Sequence, residues 1–168
     1  MDEVRWLDAE EDRIWRSWIA MADLLRTQLS RDLLQETGLS GPDYAVLVNL
    51  SEAPGGRLRM SDLAESLCWS KSRLSHQVAR MGGRGLVARE GCSSDARSTY
   101  AVLTPCGRQE INRAAPLHVA SVRQHLFDLL DARQLGALGE VTEAVVNHLR
   151  ASAPKEGFCA EDGVGTCD

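Results

Sequence analysis

The sequence predicts a mainly α chain with a small β wing, the layout of a winged helix-turn-helix set between long helices. Three observations predict it. Over residues 70–83, apolar Leu74, Val78 and Met81 recur at spacings of four and three, as one buried stripe of a helix requires. The opposite face carries Ser72, His76 and Ala79, with Arg73 and Arg80 at its edge and no acid. Two short β-type runs follow, at 86–89 and 99–103, joined by a polar turn that contains Gly91, Ser93, Ser94, Asp95 and Arg97. The charge is segregated as well. From Lys71 to Arg108 seven Lys/Arg stand against Glu90 and Asp95, a net +5, in a chain whose net charge is −5, so the remainder carries −10. Positive charge gathered into one segment of an acidic chain is the electrostatic footprint of a phosphate-backbone partner.

Length and composition bound the rest. With 168 residues, 43% of them hydrophobic, the chain suits one core-forming domain, alone or with a tail. No apolar run approaches the length needed to span a bilayer. The first residues, Met1-Asp-Glu-Val-Arg-Trp-Leu-Asp, are acidic and lack the apolar stretch of a signal peptide, so a cytoplasmic protein without membrane association is expected. The five cysteines, at 68, 92, 106, 159 and 167, form no Cys-x-x-Cys pair and are expected as free thiols.

Taken in order, residues 8–36 read as a long helix with the apolar stripe Ile14, Trp15, Trp18, Ile19, Ala22, Leu25, Leu29 and Leu33, ended by Gly38. Ser40 is placed to cap a second helix, with Asp43 completing a capping box and Pro42 in the first turn. Tyr44, Val46, Leu47, Val48 and Leu50 make that helix apolar on several sides, hence central. After the break at Ala53-Pro-Gly-Gly, Leu58 and Met60 are expected in a short strand paired with the wing. Ser61 starts a third helix over 62–67, and Cys68-Trp69 turns into the helix capped by Ser70. Gly82-Gly83 costs roughly 1 kcal/mol per glycine against alanine, so this helix is expected to fray before Arg84. Thr104-Pro105 opens another helix, which Pro116 is expected to kink or split. Asp131 caps the last helix with Gln134 at the box position, and Leu135, Leu138, Val141, Val145 and Leu149 are spaced for a packed face. Four segments result: an N-terminal helix (1–37), a winged unit (38–108), C-terminal helices (109–150) and a tail (151–168) poor in residues to bury, read as disordered.

The chain also resembles a known family. Leu86-Val-Ala-Arg-Glu after Arg84-Gly85, Asp95-x-Arg97, and Val102-Leu-Thr-Pro-x-Gly107 are similar to the multiple-antibiotic-resistance regulator (MarR) family. Leu39-Ser-Gly-Pro-Asp-Tyr-Ala-Val-Leu and Met60-Ser-Asp-Leu-Ala-Glu-Ser-Leu fit the same pattern upstream. The resemblance runs in order over roughly residues 10–150. It implies a transcriptional regulator, in most such cases a repressor, that binds a pseudo-palindromic double-stranded DNA operator as a homodimer and is released by a small organic effector. The first and last helices would be the dimerisation region. Trp15 and Trp18, on the first helix, would line the effector pocket.

Within this frame the expected DNA-binding residues are Ser70, Lys71, Ser72, Arg73, Ser75, His76, Gln77, Arg80, Asp95 and Arg97. Ser72, Arg73 and His76 are the candidates for base edges and nearby phosphates, since arginine pairs in a bidentate manner with guanine. Lys71, Ser75, Gln77 and Arg80 suit backbone contacts. Arg97 at the wing tip would enter a minor groove, with Asp95 orienting it.

Other chemistries have less behind them. Cys68 is expected to be a buried packing residue, and Cys92 is the remaining candidate for a thiol-based redox switch, an alternative mode of regulation. A winged-helix module that binds proteins and not DNA is the other alternative, against which the acid-free helix face argues. His118 and His125 lie seven apart without an acid or thiol beside them, so neither a metal nor another cofactor is expected. No G-x-S-x-G, P-loop, H-E-x-x-H or dinucleotide fingerprint occurs, and no enzyme is expected.

Overall fold

The computed structural model describes residues 4–92 and 95–152, and gives the backbone alone at 92 and 95–98. Among the described residues six α-helices and three strands follow one another: α1 (Ala9–Thr37), α2 (Gly41–Glu52), β1 (Arg57–Arg59), α3 (Met60–Leu67), α4 (Lys71–Gly83), β2 (Val87–Cys92), β3 (Asp95–Leu103), α5 (Pro105–His125) and α6 (Ala132–Ser152). The strands form one antiparallel sheet in the order β1-β3-β2, with Leu58 opposite Ala101 and Ala88 opposite Val102. This is the mainly α architecture with a small β wing that the sequence predicts.

Local chemistry sets the helix ends. The Asp8 carboxylate accepts from the amides of Glu10 and Glu11, and Gly38 closes α1 at φ 72°. Ser40 and Asp43 form a reciprocal capping box on α2. Thr104 caps α5, with its hydroxyl accepting from the Gly107 amide at 2.9 Å. At the start of α6, Asp131 and Gln134 exchange bonds of 2.8 and 3.0 Å. Each such cap satisfies amides that the first helical turn leaves without partners, worth about 1 kcal/mol.

The core lies beneath the winged unit. Leu39, Val46, Leu47, Leu50, Leu63, Leu74, Val78 and Met81 are all but completely buried, drawn from the start of α2, α2 itself, α3 and α4. Leu86, Val87 and Ala101 close it from the sheet, Ile111 and Ala114 from α5, and Leu33 from α1. Burying a leucine or valine side chain contributes about 1.5–3 kcal/mol, so this cluster dominates the stability of the unit.

Several expectations need correction. Met60 begins α3 and takes no part in β1, because the strand's alternation ends at Arg59. The hairpin is longer than expected, with pairing from Val87–Leu103 out to Cys92–Asp95 and a register shift between Gly91 and Cys92. α5 runs unbroken through Pro116, whose ring costs one backbone hydrogen bond in 21 residues; the chain breaks instead at Leu126, followed by a 3-10 turn over Phe127–Leu129. α4 does not fray at Gly82-Gly83. The Leu86 amide reaches the Met81 carbonyl (3.1 Å) and the Gly85 amide that of Gly82 (2.9 Å), with Gly85 left-handed at φ 71°. That Schellman arrangement, with Leu86 and Met81 both buried in the core, holds the last turn. Residues 151 and 152 belong to α6, while the rest of the tail, 153–168, lies outside the described residues.

α6 buries none of its residues, and Leu135, Val141, Val145, Val146 and Leu149 are exposed. Ile14, Trp15, Trp18 and Ile19 of α1 are exposed too. One side of the C-terminal half of α1 packs against α5. There Asp32 accepts from Ser121 Oγ at 2.6 Å and Gln28 at 2.7 Å and lies 3.0 Å from His125 Nε2. These bonds, the Ser121 hydroxyl first, hold the Asp32 carboxyl below its usual range. Among the described residues no helix is long and apolar enough to cross a membrane.

Candidate nucleic-acid interface

α3 and α4 are joined by a tight turn. The Trp69 amide bonds to the Ala64 carbonyl and the Cys68 amide to that of Glu65, which puts Cys68 in the left-handed region at φ 52°. Glycine usually fills that position. The turn throws the Cys68 side chain outward, so it is exposed and is not the buried packing residue expected; Cys106 is exposed as well. Trp69, half-buried against the core, supports the Arg73 guanidinium, which stacks over its ring at 4.6 Å. Stacking of this kind orients a cation without neutralising it.

From that turn α4 presents Lys71, Ser72, Arg73, His76, Ala79 and Arg80 to solvent on one side, while Leu74, Val78 and Met81 point into the core. Ser70 caps the helix, its hydroxyl accepting from the Arg73 amide at 3.2 Å. α4 contains no carboxylate, so nothing on it offsets the positive charge. Ser75 is half-buried and accepts, through its hydroxyl, a bond of 3.0 Å from Arg89 of β2.

Gln77 requires a correction. It is buried, and its amide donates to Asp43 Oδ1 at 2.7 Å, so it faces α2 and not the solvent side with Lys71 and Arg80. Its place at i+3 from Leu74 and i−4 from Met81 already put it on the apolar face. Asp95 and Arg97 lie on β3, but their side chains are outside the described residues, as is that of Cys92.

The structure adds cations that were not among the candidates. In β1 only Leu58 turns inward, leaving Arg57 and Arg59 outside. Arg57 sits over the Tyr100 ring at 4.3 Å, and Arg59 Nε donates to the Tyr100 hydroxyl at 3.2 Å. A hollow of about 400 Å³ opens between Arg59, Ser61, Lys71, Ser75, Arg89 and Thr99, at the N-termini of α3 and α4. Three cations and two helix N-termini around one recess make it a place for an anionic oxygen. The strict alternation of Arg57-Leu58-Arg59 was the available signal.

Trp15 lines a shallow hollow of about 650 Å³ with Trp6, Leu7, Asp12, Arg16 and Ile19 on the outer side of α1, and Trp18 is not part of it. His118 packs its ring 4.4 Å from that of Tyr44, and its Nδ1 is buried without a hydrogen-bond partner among the described residues. Burial lowers its pKa. Among the described residues no three His, Cys, Asp or Glu side chains gather as metal ligands would.

Comparison with known proteins agrees with this geometry. Residues 37–98 match the model of the MarR family. Over 95% of its length the chain is similar to Sco3205 of Streptomyces coelicolor, a MarR family transcriptional regulator solved in complex with DNA; identity is 44%, 98% of that chain is covered and the TM-score is 0.86. AbsC, a MarR family transcriptional regulator of the same organism, is 48% identical over 88% of this chain and 99% of its own, with a TM-score of 0.82. The transcriptional regulator HosA of Escherichia coli O111:H- is 32% identical over 113 residues, 67% of this chain and 76% of HosA.

Proposed function

The chain belongs to the MarR family of DNA-binding transcriptional regulators, and from that premise we propose that it binds a pseudo-palindromic operator as a homodimer and represses transcription in the cytoplasm. The observation that carries the reading is the exposed side of α4, where Lys71, Ser72, Arg73, His76 and Arg80 stand with no acid on the helix. In this reading α4 enters the major groove, with Arg73 held by Trp69 at the base edges and Lys71 and Arg80 on phosphates. Phosphate also fits the hollow at Arg59 and Lys71, whose wall Arg89, held by Ser75, completes. The wing, with Asp95 and Arg97 at its end, lies along the flanking minor groove.

Homodimerisation is supported by the exposed apolar residues of the N-terminal half of α1 and of α6, which no other described residue covers. Exposed apolar area on that scale marks an interface. Two copies joined there would present two α4 helices to half-sites about one helical turn apart. Release by a small organic effector rests on family membership, with the open hollow beside Trp15 as a place for an apolar ring.

Fluorescence anisotropy tests the reading. DNA from the region upstream of the gene is compared with scrambled DNA at two salt concentrations. Tight binding that survives higher salt only on the native fragment supports a specific regulator. Equal loss on both fragments leaves only phosphate attraction and overturns operator recognition.

A further inference from the structure

Asp43 sits in the first turn of α2, on the far side of α4 from solvent, and is 3% exposed. Capping α2 occupies one of its oxygens: Oδ2 accepts from the Ser40 amide at 3.0 Å and the Ser40 hydroxyl at 2.8 Å. Capping requires nothing more, yet the carboxylate makes two further bonds, one to α4 and one just past its end. Oδ2 also accepts from Arg84 Nη1 at 2.7 Å, beyond the Gly82-Gly83 end of the helix, and Oδ1 accepts from Gln77 Nε2 at 2.7 Å.

The second contact fixes a direction. A carboxylate only accepts, so the NH2 end of the Gln77 amide must face it and the amide oxygen must point away. That oxygen accepts from Arg80 Nη2 at 2.7 Å, and a guanidinium only donates. The chain Asp43–Gln77–Arg80 therefore has one consistent sense. It starts in the core of the winged unit and ends on a cation at the exposed side of α4.

We propose that Asp43 is a positioning residue for DNA binding, holding the Arg80 guanidinium in place through the Gln77 amide. This rests on the DNA-binding reading of α4. A free arginine side chain loses much of its rotamer entropy when it settles on a phosphate. One already held by Gln77 has lost part of it before DNA arrives, so binding is tighter for the same contact. In Asp43→Asn the new amide can donate, which allows Gln77 to turn its NH2 end toward Arg80 and release it.

The test is a double-mutant cycle on the native upstream fragment, with Asp43→Asn, Arg80→Ala and the pair, read by anisotropy over a salt series. Asp43→Asn should weaken binding about fivefold to tenfold with the wild-type salt slope, because the released Arg80 still reaches its phosphate, whereas Arg80→Ala should lower the slope by about 1. The pair should bind no more weakly than Arg80→Ala alone. Losses that multiply in the pair, or an Asp43→Asn protein whose slope falls by about 1 or whose affinity is unchanged, would overturn the positioning role while leaving DNA binding intact. Wild-type protein that does not discriminate the native fragment would overturn the DNA reading and this role with it. Gln77→Met, which keeps Asp43 with Ser40 and Arg84, carries the same expectations and the same overturning results if Asp43→Asn melts at a temperature too low to assay.

Discussion

Arg89 of β2 reaches across to Ser75 of α4 and donates to both its hydroxyl and its main-chain carbonyl. One guanidinium thus fixes the base of the wing against α4. Replacing Arg89 with Gln removes the charge and one of the two bonds. Operator affinity is expected to fall by about 1–3 kcal/mol. Because the group is engaged with Ser75, the salt slope should fall by less than the 1 expected for a phosphate contact; a full unit would make Arg89 a phosphate ligand and not a brace.

The wing end is tested by Arg97→Ala. Loss of its side chain should weaken operator binding by about 1–3 kcal/mol, and most at sites with A·T-rich flanks, where a narrow minor groove concentrates negative potential. Unchanged affinity in the anisotropy assay would remove the wing tip from the interface.

Gly107 is a structural prediction. A Cβ there would lie 2.1 Å from the Leu86 carbonyl oxygen and 2.8 Å from Leu103 Cδ1, so even alanine does not fit without moving backbone. Gly107→Ala should cost about 3 kcal/mol or more, beyond the usual penalty for overpacking. Urea denaturation measures it, and a loss below 1 kcal/mol would mean that the joint can open.

Val145 and Val141 probe the uncovered helices. Both are more than half exposed in the single chain. If α6 lies in a dimer interface, Val145→Asp should convert a species of twice 18.4 kDa into one of 18.4 kDa by light scattering at micromolar concentration. An unaltered dimer would place the interface elsewhere, and a wild-type monomer would end the dimer reading.

His118 makes a pH prediction. Burial lowers its pKa from the ordinary 6.5, so the native ring stays neutral where the unfolded one takes up a proton. The unfolded chain then binds more protons, and stability present above about pH 6.5 is lost as pH falls through that value toward the native pKa. His118→Phe should lose less stability than wild type between about pH 7.5 and 5.5. Equal losses in the two proteins would show that the ring is free to protonate in the fold.

What the sequence made legible is what lies close along the chain. Ser40 with Asp43, Ser70 with Arg73, Thr104 with Gly107 and Asp131 with Gln134 are caps whose partners sit three residues away, and all four are present. The exposed side of α4 was legible through its helical period. Contacts between distant segments were not. Gln77 meets Asp43 across 34 residues and Arg59 meets Tyr100 across 41, and no local pattern encodes such pairs. A split at Pro116 is absent for a related reason: the penalty of one proline is fixed locally, but α5 packs on α1 and α2, which keep it helical.

The joint at Gly107 has a mechanical consequence. Thr104 Oγ1 lies within bonding distance of both the Gly85 and Leu86 carbonyls, while Gly107 packs against the same stretch of chain. The start of α5 and the base of the hairpin therefore have no hinge between them. A helix of 21 residues is roughly 30 Å long. Any tilt of it is delivered undiminished to the wing, as a lever turns a shaft. For a tilt of about 5° the far end sweeps about 3 Å, by the helix's rise per residue. A small push at that end is geared down into a finer rotation of the hairpin, with little lost to slack in the joint.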